Sequence, residues 1–282
     1  MSESLKVASW NVRDGLSTPV VMPAVVERIK GLEADIVVLP EAFNEGAKTG
    51  DEFLAEVLDQ ASDQLRGAGY AMHRVRYDDT DGRKDRHGFA LLTRVPEAGD
   101  VKVFDLGGRN ALGQYVGDLA LTVVGLHLDD RAEATRITQT ARLLDQLDFD
   151  AKNLALGDFN AMHRKDPKAV ALRLAKPVAR LLPSVDPGET APNLAKLRRA
   201  GSLSSRLTDM ATGSTMGYLW ANGYEDVDTQ FQPTKSFVQL DHIMTNFEHA
   251  EPSSDVRVGE YSVHEVPGHE SDHRPISAVI EY

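Results

Sequence analysis

The chain has 282 residues, of which 41% are hydrophobic, a formal net charge of −12 and no cysteine. The missing cysteine excludes disulfides, thiolate metal sites and cysteine nucleophiles, and no run nears the roughly 20 apolar residues that span a bilayer. An acidic chain repels a phosphate backbone, so nonspecific duplex binding is not the first expectation, although a local basic groove can act against the global sign.

The opening MSESLKVASW has neither a basic lead nor a long apolar core, so no secretory signal is expected and the cytoplasm is the expected location. LKVASW (5–10) reads as a strand. Residues 20–32 have helical spacing, with Val21, Val25, Ile29 and Leu32 on one face. ADIVVLP (34–40) is a buried strand by its β-branched run. Residues 51–65 read as a second helix, with Asp51 as N-cap and Phe53, Leu54, Val57, Leu58 and Ala61 inward. YAMHRVRY (70–77) and GFALLTR (88–94) read as neighbouring strands, and DVKVFDL (100–106) and YVGDLALTVVGLHL (115–128) as another pair. A third helix is predicted over 130–147, with Ile137, Ala141, Leu144 and Leu147 as its stripe. NLALGDF (153–159), KSFVQLDHIMT (235–245) and ISAVIEY (276–282) read as strands, with SDVRVGEYSV (254–263) between the last two.

From about 164 to 216 the strand signals stop. Arg164, Lys165, Lys168, Arg173, Lys176, Arg180, Lys196, Arg198, Arg199 and Arg206 meet few acids there, which reads as a basic helical insertion. Either it walls an anionic substrate site or it is a pair of solvated helices over a sheet edge. The order of elements predicts an α/β fold: a four-layer α/β/β/α sandwich of two mixed, mainly antiparallel sheets with outer helices, forming one domain over 1–282. A Rossmann fold is excluded, since no Gly-rich loop follows the first strand.

Polar residues recur where apolar runs end: Asn11, Glu41, His127, Asp158, Asn160, Asp241, Asp272 and His273. Singly, each has an ordinary structural role: a turn, a cap, a solvated loop or a satisfied core histidine. Jointly, strand ends in stacked sheets can converge on one site. Carboxylates, amide oxygens and imidazoles without thiolates favour Mg²⁺, or Mn²⁺, over zinc. A hard cation with positioned His and Asp suits phosphoryl chemistry.

SWNVRDG, LPEAF, GLHLDD, LALGDFNAM, QLDHIM and ESDHRPI occur in the order of the endonuclease/exonuclease/phosphatase superfamily, which the chain resembles outside the basic insertion. The resemblance implies that Glu41 is the principal metal carboxylate, with Asp272 as a second and Asn11 supporting the metal or the phosphate. It implies that Asp158 and Asn160 position the attacking water and the phosphate. His273 resembles the catalytic histidine, Asp241 its orienting carboxylate, and His127 a histidine that assists the leaving oxygen; Arg13 is a further candidate for substrate binding. Three departures count against an AP endonuclease: Val12-Arg13 stands in place of an Asp, Val238-Gln239 in place of a Trp, and His127 in place of a Tyr. The acid that pairs with the first histidine in deoxyribonuclease I-like enzymes looks like His87 here, so that partner is missing or different. The expected activity is metal-dependent hydrolysis of a phosphodiester, in nucleic acid or a small molecule, by a monomer. The alternatives are a phosphatase of small monoesters and a non-catalytic binding module.

Overall fold

A computed structural model describes residues 4–44, 51–77, 87–95, 99–148, 150–162, 214–228, 230, 232–235, 239–248, 256–266 and 270–282. Among them, twelve strands form two six-stranded sheets. In the first, Arg257–Val263 (β11), Ile276–Glu281 (β12), Ser4–Ser9 (β1), Ile36–Asn44 (β2), His87–Thr93 (β4) and Ala71–Arg76 (β3) lie side by side in that order. In the second the order is Lys102–Asp105 (β5), Asn110–Val116 (β6), Leu121–His127 (β7), Lys152–Asp158 (β8), Asp241–Thr245 (β10) and Glu225–Asp226 (β9). The pairs β1–β2 and β7–β8 are parallel and the rest antiparallel, so both sheets are mixed.

The apolar runs are continuous because the central strands are covered on both faces. In β2, Ile36 and Val38 meet Leu154, Leu156 and Ile243 of the second sheet, while Val37 and Leu39 face the opposite way. There they pack under helices Met22–Leu32 (α1) and Asp51–Arg66 (α2), through Val25, Ile29, Val57 and Ala61. Outside the second sheet, Glu133–Leu144 (α3) and Ser214–Ala221 (α4) bring Leu143, Met216 and Leu219 against Val124, Leu126 and Ala155. This makes the four-layer sandwich that the element order predicts. Each buried aliphatic side chain contributes about 1.5–3 kcal/mol relative to exposure. The sheets approach closely at Gly125, where a Cβ would sit 2.6 Å from Val38 and 2.7 Å from Phe89.

Several elements differ from their sequence expectations. The run 115–128 is two strands: β6 ends at Val116, a 3-10 turn spans Gly117–Leu119, and β7 follows. Consequently β5 pairs with β6 and does not touch β7 as a neighbour. The buried face of α3 is Arg136, Gln139, Thr140 and Leu143, one position off the expected stripe. Arg136 is tolerated there because its guanidinium meets Glu133 at 2.7 Å and donates to the Asp129 carbonyl at 2.9 Å. Phe53 is 45% exposed. The basic insertion lies outside the described residues except for 214–216, which open α4. No helix among the described residues is long and apolar enough to cross a membrane.

Candidate active site

One edge of the sandwich collects the ends of five strands. Parallel pairing carries β7 and β8 to that edge together, so His127 lies opposite Asp158; antiparallel pairing then sets Asp241 opposite Asp158. Gly157 makes this packing possible. Its φ of 148° is one that L side chains rarely adopt, and a Cβ there would run into the Leu126 carbonyl. Past it the chain turns sharply: Asp158 Oδ1 accepts the Asn160 N–H at 2.9 Å, and Asn160 sits at φ 49°. From the first sheet, β1 delivers Asn11 and β2 delivers Glu41, itself at φ 47° within an irregular stretch of the β2–β4 ladder.

The described atoms bring the predicted residues together as follows. Asn11 donates to Asp158 Oδ2 at 3.0 Å. His273 Nδ1 lies 2.8 Å from Asp241 Oδ2, and its Nε2 lies 3.7 Å from Asp158 Oδ2. His127 Nε2 is 3.7 Å from Glu41 Oε1 and 3.8 Å from Asp158 Oδ2. Asn160 donates to the Leu128 carbonyl at 3.1 Å. Thr234 Oγ1 accepts the Asp241 N–H at 3.0 Å, and Trp10 Nε1 donates to the His273 carbonyl at 3.0 Å, so both members of the dyad are held by their backbones. Asp272 stands at the rim, 3.6 Å from Lys235 and 3.8 Å from Arg13. Among the described residues, three buried side-chain atoms here have no hydrogen-bond partner: His127 Nε2, His273 Nε2 and Asp241 Oδ1.

Burial and neighbouring charge move these groups apart in acidity. Burial, followed by the negative charge of Asp241, pushes the Asp158 carboxyl up to about 6. Burial alone would make the His273 cation costly, but Asp241 and Asp158 outweigh it and raise its pKa. Burial drives His127 the other way, helped by the positive charges of Arg109 and His273, and leaves it well below an ordinary imidazole. For Asp272 burial is outweighed by Lys235, His273 and Arg13, and its carboxyl falls below the usual value. The site thus pairs a histidine that favours the cation with one that stays neutral.

Two clusters among the described residues place carboxylate and imidazole ligand atoms within 4.8 Å of one another: Asp158 with Asp241 and His273, and Asp14 with Glu41 and His87. Asp272 is in neither. Asp14 escaped the sequence reading. Its signal is the Asp-Gly pair in NVRDG, a turn in which Asp14 takes φ 62° and accepts or shares a hydrogen with His87 Nδ1 at 2.8 Å. His87 is therefore the partner of Asp14. The group beside His127 Nδ1 is the Tyr77 hydroxyl, at 2.9 Å. Two more residues stand beside the site: Lys235, bridged to His273 through the backbone, and His242 within QLDHIM, whose ring spans Asp226 and the Ala161 carbonyl just past Asn160.

The chain is similar to a solved endonuclease/exonuclease/phosphatase from Beutenbergia cavernae DSM 12333, at 16% identity over 99% of this chain and 71% of that one, with a TM-score of 0.66. It is similar to an AP endonuclease from Archaeoglobus fulgidus, at 16% identity, 97% and 98% coverage and a TM-score of 0.61. It is also similar to ANGEL2, a 2',3'-cyclic phosphatase, at 16% identity, 99% and 95% coverage and a TM-score of 0.59. These likenesses show the fold. No curated protein sequence matches the chain. A family model matches residues 8–273, almost the whole length, and the chain belongs to the Endonuclease/Exonuclease/phosphatase family, whose members hydrolyse phosphoester bonds.

Proposed function

We propose that the chain is a divalent-metal-dependent phosphodiesterase that cleaves by in-line attack of water. The observation that carries this reading is the buried Asp241–His273 dyad, whose unpartnered Nε2 faces Asp158 across 3.7 Å. That gap is lined by groups able to bind an anion and to take a proton, and among the described residues nothing partners His273 Nε2. His273, favouring the cation, would donate through Nε2 to a non-bridging phosphate oxygen. Asp158 Oδ2 would accept the proton of the attacking water as its oxygen bonds to phosphorus and the leaving oxygen departs. Asn11, Asn160 and Arg13 would hold the phosphate, and His127 would face the leaving oxygen.

The residues fit a hard cation such as Mg²⁺ or Mn²⁺. The donors are carboxylate and amide oxygens, the chain has no thiolate, and Glu41 is held at an unfavourable backbone conformation beside Asp14. Glu41 and Asn11 would hold the ion, with Asp272 completing the oxygen set. When bound, the cation would neutralise phosphate charge as a Lewis acid.

A second reading, hydrolysis of small phosphate monoesters, is favoured by Lys235 and Arg13 flanking Asp272, since a terminal phosphate carries an extra negative charge. A substrate panel separates the two. Plasmid and single-stranded DNA, RNA, bis-p-nitrophenyl phosphate, sphingomyelin and inositol phosphates would be assayed with Mg²⁺, Mn²⁺ or chelator. Turnover of diesters that chelator abolishes supports the proposal, and preference for monoesters over every diester overturns it.

A further inference from the structure

We infer that Tyr77 is a positioning residue that fixes His127 with its proton on Nε2, making it a neutral hydrogen-bond donor to the leaving oxygen. This rests on the phosphoesterase reading above and names the means by which one member of that site works.

The Tyr77 hydroxyl oxygen lies 2.9 Å from His127 Nδ1. A hydroxyl hydrogen donated to His127 Nδ1 needs a lone pair there, which leaves the imidazole proton on Nε2. In the opposite arrangement Nδ1–H would donate to Tyr77 and Nε2 would carry the lone pair. That lone pair would face the carboxylates of Glu41 and Asp158 at 3.7 and 3.8 Å, an unfavourable arrangement in a buried site. The geometry therefore places the proton on Nε2, the buried atom that has no hydrogen-bond partner among the described residues.

The surroundings hold Tyr77 in register. The Arg109 guanidinium lies over its ring at 5.2 Å and donates to the His127 carbonyl at 3.3 Å. Asn110 donates to the carbonyl of Arg76, the residue before Tyr77, at 3.0 Å. The Tyr77 and His127 rings meet edge to face at 5.6 Å. Tyr77 thus continues β3 of the first sheet and grips His127 at the end of β7 in the second. A tyrosine here does what a carboxylate partner cannot: a carboxylate only accepts, and would draw the proton to Nδ1.

Two measurements test this. The first is long-range ¹⁵N–¹H NMR of the wild-type full chain, with His127 assigned by the loss of its signals in His127→Gln. A protonated Nε2 and an unprotonated Nδ1 are expected, and a proton on Nδ1 overturns the inference whether or not the protein hydrolyses any ester. The second is Tyr77→Phe assayed on aryl phosphodiesters of graded leaving-group acidity. We expect kcat to fall about ten- to a hundredfold for the poorest leaving group, little for nitrophenolate, with KM unchanged. An equal loss across the series, or none, overturns it. Should the variant fail to fold, the wild-type spectrum still decides.

Discussion

Replacing Asp241 with Asn removes a charge and keeps the shape. Asp241 and His273 are 0% and 1% exposed, and their 2.8 Å contact is the strongest support for the His273 cation. Without that charge, burial dominates and the imidazole becomes neutral at lower pH. The same change lifts a negative charge from beside Asp158, whose upward push loses its second cause. The corresponding Asp→Asn change in a catalytic His–Asp pair costs about 10⁴-fold. Here Asp158 still faces His273, so a loss of about 10²- to 10⁴-fold in kcat/KM is expected. Whichever limb of the pH–rate profile belongs to His273 moves to lower pH, because its pKa falls. The assay is kcat/KM for bis-p-nitrophenyl phosphate with Mg²⁺ from about pH 5 to pH 9. Folding should survive, since the variant relieves repulsion between two buried carboxylates. Activity within about threefold of wild type with an unmoved profile, when the account requires a hundredfold or more, would refute the reasoning.

Two further predictions concern the frame around the site. Both ring nitrogens of buried His242 face acceptors, Asp226 Oδ2 at 2.6 Å and the Ala161 carbonyl at 2.7 Å; burial opposes the cation, yet Asp226 and the hydrogen bonds raise its pKa. A raised histidine stabilises fully below its unfolded value of about 6.5, and that contribution fades at up to about 1.4 kcal/mol per pH unit as pH climbs through the folded value. Asp226→Asn should remove this share of the slope in urea midpoints and cost about 3–5 kcal/mol at neutral pH; slopes identical in the two proteins would count against the pair. Gly157→Ala should destabilise by about 2–6 kcal/mol, combining backbone strain and overpacking, because its Cβ meets the Leu126 carbonyl; an unchanged thermal midpoint would mean that β7 and β8 are not so closely joined.

The layers were legible because the strands advertise them. Runs such as IVVLP and LALG are apolar at every position, which is what burial on both faces demands. The strand β6 was hidden because NALGQYV interrupts its apolar pattern with Gly113 and Gln114, both needed locally: Gly113 lies under the Phe104 ring, and Gln114 donates to the Gly99 carbonyl. The buried face of α3 was misplaced because it buries Arg136, Gln139 and Thr140 through hydrogen bonds, and a periodicity of apolar residues cannot register those. Within the site, residues that end apolar runs could be collected from the sequence, since strand ends are where a sheet exposes chemistry. Tyr77, Asp14 and Lys235 could not, because each gains its meaning from a contact across sheets or loops. Tyr77 meets His127 50 positions away, and Asp14 meets His87 73 positions away.

The central claim is that Glu41 and His273 belong to one metal-dependent hydrolytic site. Wild type, Glu41→Ala and His273→Ala would be compared on bis-p-nitrophenyl phosphate during Mg²⁺ titration, with folding checked by circular dichroism. The account predicts Mg²⁺-dependent turnover in wild type, a fall of at least about 10²-fold in each variant, and weakened Mg²⁺ binding by calorimetry in Glu41→Ala alone. Undiminished turnover in either folded variant would contradict it.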